Sequence, residues 1–152
     1  MKSFVSISCL ILIIGISSNA QSKFARGADV SWLPQMEASG FEFKDKNGNP
    51  KDCLKVLKSL GMNAIRLRVF VNPNNDKING HCTKEETIAM ALRAKKLGMR
   101  VMIDFHYSDS WADPGKQFKP KACESHIFSQ LLTDVYEHTF DVLSGLKKAG
   151  IL

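Results

Sequence analysis

The chain has 152 residues, with 21 basic and 15 acidic side chains, which gives a net charge of +6 at pH 7. The basic residues are spread among acidic ones and accompany no aromatic-basic motif, so the charge does not indicate nucleic-acid binding. The sequence has no phosphate-binding glycine loop and no serine in a nucleophile elbow. These absences argue against nucleotide-dependent enzymes and serine hydrolases.

The first twenty residues predict a secretory signal peptide. Lys2 is their only charge, residues 4–16 are mostly apolar, and residues 18–20 (Ser-Asn-Ala) have the small-x-small pattern of a cleavage site. The apolar segment is too short for a membrane span, and the alternative is an anchor that is never cleaved. We expect cleavage after Ala20, a periplasmic or extracellular location, no membrane contact after cleavage, and a single domain at residues 21–152.

One pattern of helix, glycine and apolar run occurs three times, with the glycine at Gly61, Gly98 and Gly150. Glycine is favoured there because the chain enters the left-handed region as it leaves a helix. Hydrophobic spacing predicts helices at 52–60, 83–97 and 127–149. The four residues Thr-Lys-Glu-Glu at 83–86 predict a capping box, and a turn is expected at 45–50.

The apolar runs after these glycines predict strands buried on both faces, preceded by a first strand at 24–32. Strands that alternate with helices indicate an α/β fold with a parallel sheet, either doubly wound or a (β/α)8 TIM barrel. A barrel needs about 250 residues. The chain would therefore supply the first three βα units and, at Ile151 and Leu152, the start of strand four, so we expect a truncated domain.

Polar and aromatic side chains gather where the predicted strands end. Those proposed to bind a ligand are Asp29, Trp32, Arg66, Arg68, His106, Asp109, Trp111 and Asp113. The carboxyl ends of parallel strands share one rim, where ligands bind. The two arginines share a strand face and require a carboxylate, such as Asp29 or Asp104, or a ligand. His106 suits a proton carrier or a hydrogen-bond donor, and the tryptophans suit either sugar stacking or loop packing.

The cysteine and histidine positions do not predict a metal site. The pairs His81-Cys82 and Cys123-x-x-His126 lie in unrelated loops, and no C-x-x-C pair occurs. We therefore expect neither a metal nor a cofactor. Export implies an oxidising compartment, so one disulfide is expected among the three cysteines of the mature chain. Pairing does not follow from the sequence; Cys82 with Cys123 is favoured, with Cys53 as a core residue.

Three blocks carry a family resemblance: G-A-D-V-S-W at 27–32, R-L-R-V-F-V-N-P at 66–73, and D-F-H-Y-S-D-S-W-A-D-P-G-K-Q at 104–117. They resemble the signature blocks of the endo-β-1,4-galactanases of glycoside hydrolase family 53. The resemblance implies the (β/α)8 barrel and retaining hydrolysis of β-1,4-galactan and type I arabinogalactan. It also implies that Asp29, Arg66 and His106 line the subsite next to the cleaved bond, with Trp111 nearby. Phe70 stands where the family commonly has tryptophan.

The family's two catalytic glutamates follow strands four and seven, and no glutamate of this chain matches either position. Retaining hydrolysis needs two carboxyl groups about 5 Å apart. We therefore expect a secreted galactanase, monomeric when full length, whose 152 residues alone are inactive. Two alternatives remain: a non-catalytic galactan-binding α/β module, and a small doubly wound protein that binds another solute.

Overall fold

A computed structural model describes residues 24–74 and 81–152; the predicted signal peptide lies outside them. The described residues form three strands and four α-helices, with two helices after the first strand and one after each of the others. In chain order these elements are β1 (Gly27–Asp29), α1 (Leu33–Ala38), α2 (Cys53–Ser59), β2 (Ala64–Val69), α3 (Lys84–Lys96), β3 (Arg100–Phe105) and α4 (Phe128–Lys148), with a 3-10 turn at Lys121–Cys123. None of these helices is long and apolar enough to cross a bilayer.

The three strands form one parallel sheet in the order β1-β2-β3, as predicted. The register aligns Asp29 with Arg66, and Arg68 with Asp104. Side chains alternate between the two faces of a strand, so this alignment puts charged residues of all three strands beside one another. Within the described part of the chain the sheet is open, with β1 and β3 at its edges.

The helix boundaries follow local sequence signals. At the start of α3, Thr83 accepts a hydrogen bond from Glu86 N and the Glu86 carboxylate accepts one from Thr83 N, which confirms the capping box. Helix α2 begins after Asp52, whose carboxylate caps Lys55 N. Gly61 and Gly98 have φ angles of +90° and +64°, which confirms the left-handed exit expected after α2 and α3.

The core lies between the sheet and helices α2, α3 and α4. Its fully buried members are Leu54, Val69, Ala91, Ala94, Val142 and Leu146. Helix α3 packs on β2, β3 and α4, and its alanines allow this close approach. The opposite side of α4 is exposed although it carries large apolar side chains: Phe128, Leu132, Tyr136 and Phe140 are each at least 58% exposed. A patch of this kind is unusual on the surface of a monomeric protein.

The structure corrects four predictions. Strand β3 is not buried on both faces, since none of its residues is buried and Met102 is 59% exposed. The first strand covers only Gly27–Asp29 rather than 24–32. Before it, the Asn63 side chain binds the backbone, and after it, Ser31 turns back onto Asp29 just ahead of α1. Helix α1, which was not predicted, begins with a proline that favours the first helical turn. Ile151 and Leu152 form no strand; Ile151 N instead donates to the Leu146 carbonyl at 2.9 Å.

Candidate functional site

The carboxyl ends of the three strands carry a continuous network of charged side chains. Asp29 is the last residue of β1, and Arg66 and Arg68 lie in β2. Asp104 is the penultimate residue of β3, and His106 directly follows that strand. Arg66 Nη1 donates to Asp29 Oδ2 at 2.8 Å, and Arg66 Nη2 donates to Asp104 Oδ2. The Arg66 side chain is 42% exposed, so its guanidinium links two carboxylates while remaining accessible to a ligand.

Asp29 receives four hydrogen bonds, which fix its orientation. Its Oδ1 accepts from Ser31 N at 3.0 Å, from Ser31 Oγ at 2.6 Å and from Arg68 Nη2 at 3.0 Å, while Oδ2 accepts from Arg66. Burial alone would raise the pKa of Asp29, but the hydrogen bonds from Ser31 and Arg68 outweigh it and leave the pKa below its ordinary value. Asp29 is therefore an ionised acceptor rather than a proton donor at neutral pH.

His106 extends the network beyond β3. Its Nε2 lies 2.9 Å from Asp104 Oδ2, and its backbone N–H donates to the Val69 carbonyl at 3.0 Å, which holds the residue against the end of β2. The Nδ1 atom is buried and has no hydrogen-bond partner within the described residues. Buried polar atoms normally have partners, so this nitrogen is a candidate contact for a bound water.

Aromatic rings border the charged network. The Arg68 guanidinium lies 3.5 Å from the centroid of the Trp111 ring and 5.4 Å from that of Trp32. The two tryptophans meet edge to face with centroids 4.8 Å apart. Arg68 is 5% exposed, so its charge is balanced mainly by Asp29 and the two ring faces. Trp32 is 47% exposed and offers the larger free aromatic surface.

An open cleft of about 510 Å³ lies along this network. Arg66, Asp104 and His106 form one wall, and the loop that follows β3 forms the other. The loop residues on the cleft are Tyr107, Ser108, Ala112, Asp113, Pro114, Gln117, Phe118 and Lys119. A groove with charged hydrogen-bonding groups on one side and aromatic rings beside it has the chemistry needed to hold a sugar chain.

The eight predicted ligand-binding residues fall into two groups. Six of them lie in or beside the network: Asp29, Trp32, Arg66, Arg68, His106 and Trp111. The other two build the loop. Asp109 accepts from Asn72 N at 2.9 Å and from Lys121 N at 2.8 Å, and Asp113 accepts from Gly115 N at 2.7 Å. Asp113 nevertheless borders the cleft, and ligand contact by all eight stays a prediction.

Two features of the site were not predicted from the sequence. Ser31 binds Asp29 and also accepts from Arg68 N at 2.8 Å, so it fixes both partners of the buried ion pair. Its spacing of two residues from an aspartate is the sequence signal for such a turn. Phe118 borders the cleft and is 71% exposed, but no sequence pattern distinguished it from other loop residues.

The expected disulfide is absent from the described residues, where Cys53, Cys82 and Cys123 are all buried free thiols. The favoured Cys82–Cys123 pair is therefore wrong in this structure. Cys82 Sγ lies 3.7 Å from the Ser31 carbonyl, on the β1 side of the site, whereas Cys123 ends the 3-10 turn before α4. Burial raises the pKa of each thiol, that of Cys82 to about 11, so none is an activated nucleophile.

Comparison with known proteins identifies the family. Residues 25–152 match the sequence profile of glycosyl hydrolase family 53. The chain belongs to glycosyl hydrolase family 53. This membership agrees with the three sequence blocks, which supply most residues of the charged network and the cleft.

Curated relatives are similar over most of this chain. An uncharacterised protein encoded in the bgaB 5′ region of Niallia circulans is 43% identical over 132 residues, covering 87% of this chain and 35% of its own length. The endo-β-1,4-galactanase of Bacillus subtilis is 38% identical over 132 residues, covering 84% and 31%. The chain therefore spans about a third of the length of these relatives.

The fold agrees with solved family 53 structures. The catalytic domain from Ignisphaera aggregans superposes with a TM-score of 0.77 at 38% identity, over 85% of this chain and 37% of that structure. The fold is thus the first three βα units of a family 53 (β/α)8 barrel, without closure of the barrel. The only carboxylates that line its cleft are Asp104 and Asp113, among the residues the structure describes.

Proposed function

We propose that this chain is the substrate-binding part of a secreted endo-β-1,4-galactanase that acts on galactan and type I arabinogalactan. The observation that carries the proposal is that the accessible donor Arg66 and His106 line one cleft. The ionised acceptor Asp29, bound to Arg66, and the exposed Trp32 ring lie beside that cleft. Galactosyl units have hydroxyls for the polar groups and an apolar ring face for the tryptophan. The names of the curated relatives supply the substrate class.

The proposed reaction is retaining hydrolysis by double displacement, which requires a nucleophilic carboxylate and an acid/base carboxyl group about 5 Å apart. Neither acid of the cleft suits these roles. Asp104 is held by Arg66 and His106, and Asp113 is held by Gly115 N. We therefore expect the 152 residues alone to bind galactan without cleaving it, and the two catalytic carboxyl groups to lie outside them.

The exposed apolar side of α4 supports this expectation. Phe128, Leu132, Tyr136 and Phe140 lie on a helix that a closed barrel would flank with a further βα unit. The edge of β3 is also open within the described residues, and Met102 on that strand is 59% exposed. We propose that the rest of a barrel covers these surfaces in the complete enzyme, which would be exported and monomeric.

A binding experiment tests the carbohydrate cleft. Calorimetric titration of the chain with β-1,4-galactotetraose should show saturable binding, and Trp32→Ala should weaken it about tenfold or more because exposed aromatic anchors dominate such interfaces. Phe41→Ala is the matched control, since Phe41 is 56% exposed and does not line the cleft. Absence of saturable binding, or an equal loss in both variants, would contradict the proposed site.

A second experiment separates the enzyme part from the binding module. Release of reducing ends from β-1,4-galactan should stay at background for the chain alone, and turnover above background would contradict the missing carboxyl pair. Both readings allow the chain to bind galactotetraose, so a second property must separate them. A part of a larger barrel keeps the apolar side of α4 uncovered and should self-associate or bind a hydrophobic dye, whereas a monomeric chain that binds no dye would favour an independent binding module.

A further inference from the structure

A second cluster of chemically active side chains lies away from the charged network. Cys123 ends the 3-10 turn, His126 follows it in the connection to α4, and Asp134 lies in the second turn of α4. One ligand atom from each residue, Sγ, an imidazole nitrogen and a carboxylate oxygen, lies within 4.8 Å of the other two. His126 Nδ1 and Asp134 Oδ2 are 2.7 Å apart. Cys123 is buried, and the other two are half-buried.

We propose that Cys123, His126 and Asp134 bind a zinc-type transition metal ion. Zinc bonds of about 2.0–2.3 Å to sulfur, nitrogen and oxygen put tetrahedral ligand atoms roughly 3.3–3.8 Å apart. The observed separations, from 2.7 Å to at most 4.8 Å, bracket that range. Small side-chain rotations can therefore bring the three ligand atoms to the distances that a bound ion requires. The distance between His126 Nδ1 and Asp134 Oδ2 would increase, and the longer distances within the cluster would decrease.

The donor set determines the kind of metal. A thiolate and an imidazole favour zinc and similar ions over calcium and magnesium, which prefer oxygen ligands. One thiolate and one carboxylate balance the two charges of the ion, so little net charge would be buried. Three protein ligands leave a fourth position for water or a small solute. The spacing is Cys123-x-x-His126-x7-Asp134, and the third ligand comes from a helix, which is why the sequence alone did not predict the site.

The fourth position has a place in the structure. Cys123 and Asp134 line a mostly apolar pocket of about 210 Å³, together with Tyr107, Leu131 and His138. His138 Nε2 is buried there and has no hydrogen-bond partner within the described residues. A water bound to the metal in this pocket would be a hydrogen-bond partner for His138 Nε2, which otherwise has none within the described residues.

The position of the cluster assigns the metal a role in holding the loop after β3. Asp109 already attaches this loop to Lys121 N, two residues before Cys123. His126 N donates to the Cys123 carbonyl at 3.0 Å, so the two ligands share one turn. A metal bound to this turn and to Asp134 would fasten the end of the loop that carries Trp111 to helix α4. This role is independent of the proposed galactan chemistry.

Metal titration of the full chain tests the site. After treatment with a chelator and reduction of its thiols, the chain should bind Zn²⁺ at a ratio of one to one. Co²⁺ should give the visible spectrum of a tetrahedral ion together with a thiolate-to-metal charge-transfer band. Asp134→Asn should weaken Zn²⁺ binding about 100-fold or more. Loss of a residue that only supports a metal ligand already weakens binding by up to about 100-fold, so loss of a direct ligand should weaken it at least as much. Asp141→Asn, on the same helix and paired with Lys84, is the matched control and should bind as the wild type does.

Further measurements make the test decisive even if a variant is unstable. Cys123→Ser should abolish the charge-transfer band, and Zn²⁺ should raise the unfolding temperature of the wild type but not that of Asp134→Asn. Far-ultraviolet circular dichroism establishes that each variant is folded before titration. The proposal would be overturned by the absence of one-to-one binding to the wild type, by unchanged binding in folded Asp134→Asn, or by a cobalt spectrum without the thiolate band. Any of these would leave the cluster as a hydrogen-bonded Cys-Asp-His group.

Discussion

Replacement of Asp29 by asparagine tests the charged network most directly. The change keeps the size of the side chain but removes its charge and puts an amide group, which donates, where Oδ2 accepts from Arg66. It also leaves Arg68, 5% exposed, without its only carboxylate partner among the described residues. Arg68 would then retain only the faces of Trp32 and Trp111, which do not replace a full negative charge.

The expected cost follows from burial. Removing one partner of a fully buried ion pair costs about 3–5 kcal/mol. The Asp29 side chain remains 25% exposed, and Arg66 is 42% exposed, so solvent screens part of the effect. We therefore expect the free energy of unfolding to fall by about 2 kcal/mol. With a urea dependence of about 2 kcal/mol per molar, the midpoint of urea unfolding should fall by about 1 M.

Tryptophan fluorescence is a suitable assay because the chain has two tryptophans, and both lie beside Arg68. Urea unfolding followed by this signal reports the site itself, and circular dichroism reports the helices. Asp45→Asn is the matched control: Asp45 is exposed and accepts from the backbone N–H groups of Asn47 and Asn49 in its own turn, which asparagine can also bind. Its midpoint should stay close to that of the wild type.

The pH dependence provides a second readout for the same change. Because the pKa of folded Asp29 lies below its ordinary value of 3.8, its carboxylate contributes stability that is fully present above that pH. This contribution is lost as the pH falls through the folded-state pKa. The difference between wild type and Asp29→Asn should therefore be constant near neutrality and shrink below about pH 4. An equal urea midpoint for the two proteins at pH 7 would refute the reasoning.

Three further changes test other parts of the fold. Thr83→Ala removes the cap of α3 and should lower the free energy of unfolding by about 1 kcal/mol, measured in urea. Gly27→Ala would put a Cβ atom 2.4 Å from the Ala64 carbonyl oxygen, so we expect a loss of about 1–3 kcal/mol in the same assay; full stability would contradict the close approach of β1 and β2. Burial lowers the pKa of His138, which lies near Asp141 and Lys84, so the folded protein keeps this side chain neutral below pH 6.5. The unfolded chain takes up a proton there, which stabilises it and lowers the unfolding temperature. His138→Phe should therefore flatten the fall in unfolding temperature between pH 7 and pH 5. An unchanged slope in that variant would contradict a buried, neutral His138.

Local signals predicted the elements of this fold well. Helices α2, α3 and α4 begin and end within one residue of the predicted bounds, because capping residues and glycines act over a single turn. The order of strands and helices also predicted the parallel sheet. The length of β1 was overestimated because strand ends depend on a neighbour: residues before Gly27 bind the Asn63 side chain instead of the ladder.

The sequence by itself determined which residues reach the rim of the sheet, since alternation along a strand and the parallel arrangement put Asp29, Arg66 and His106 at one end. Only the tertiary structure decided how their charges are shared. Strand register aligns Asp29 with Arg66, and the loop after β3 brings Trp111 over Arg68. Both are contacts between residues far apart in the chain. Tertiary packing also brought Asp134 close to Cys123 and His126, because the packing of a helix against a loop depends on the whole core and not on any local pattern.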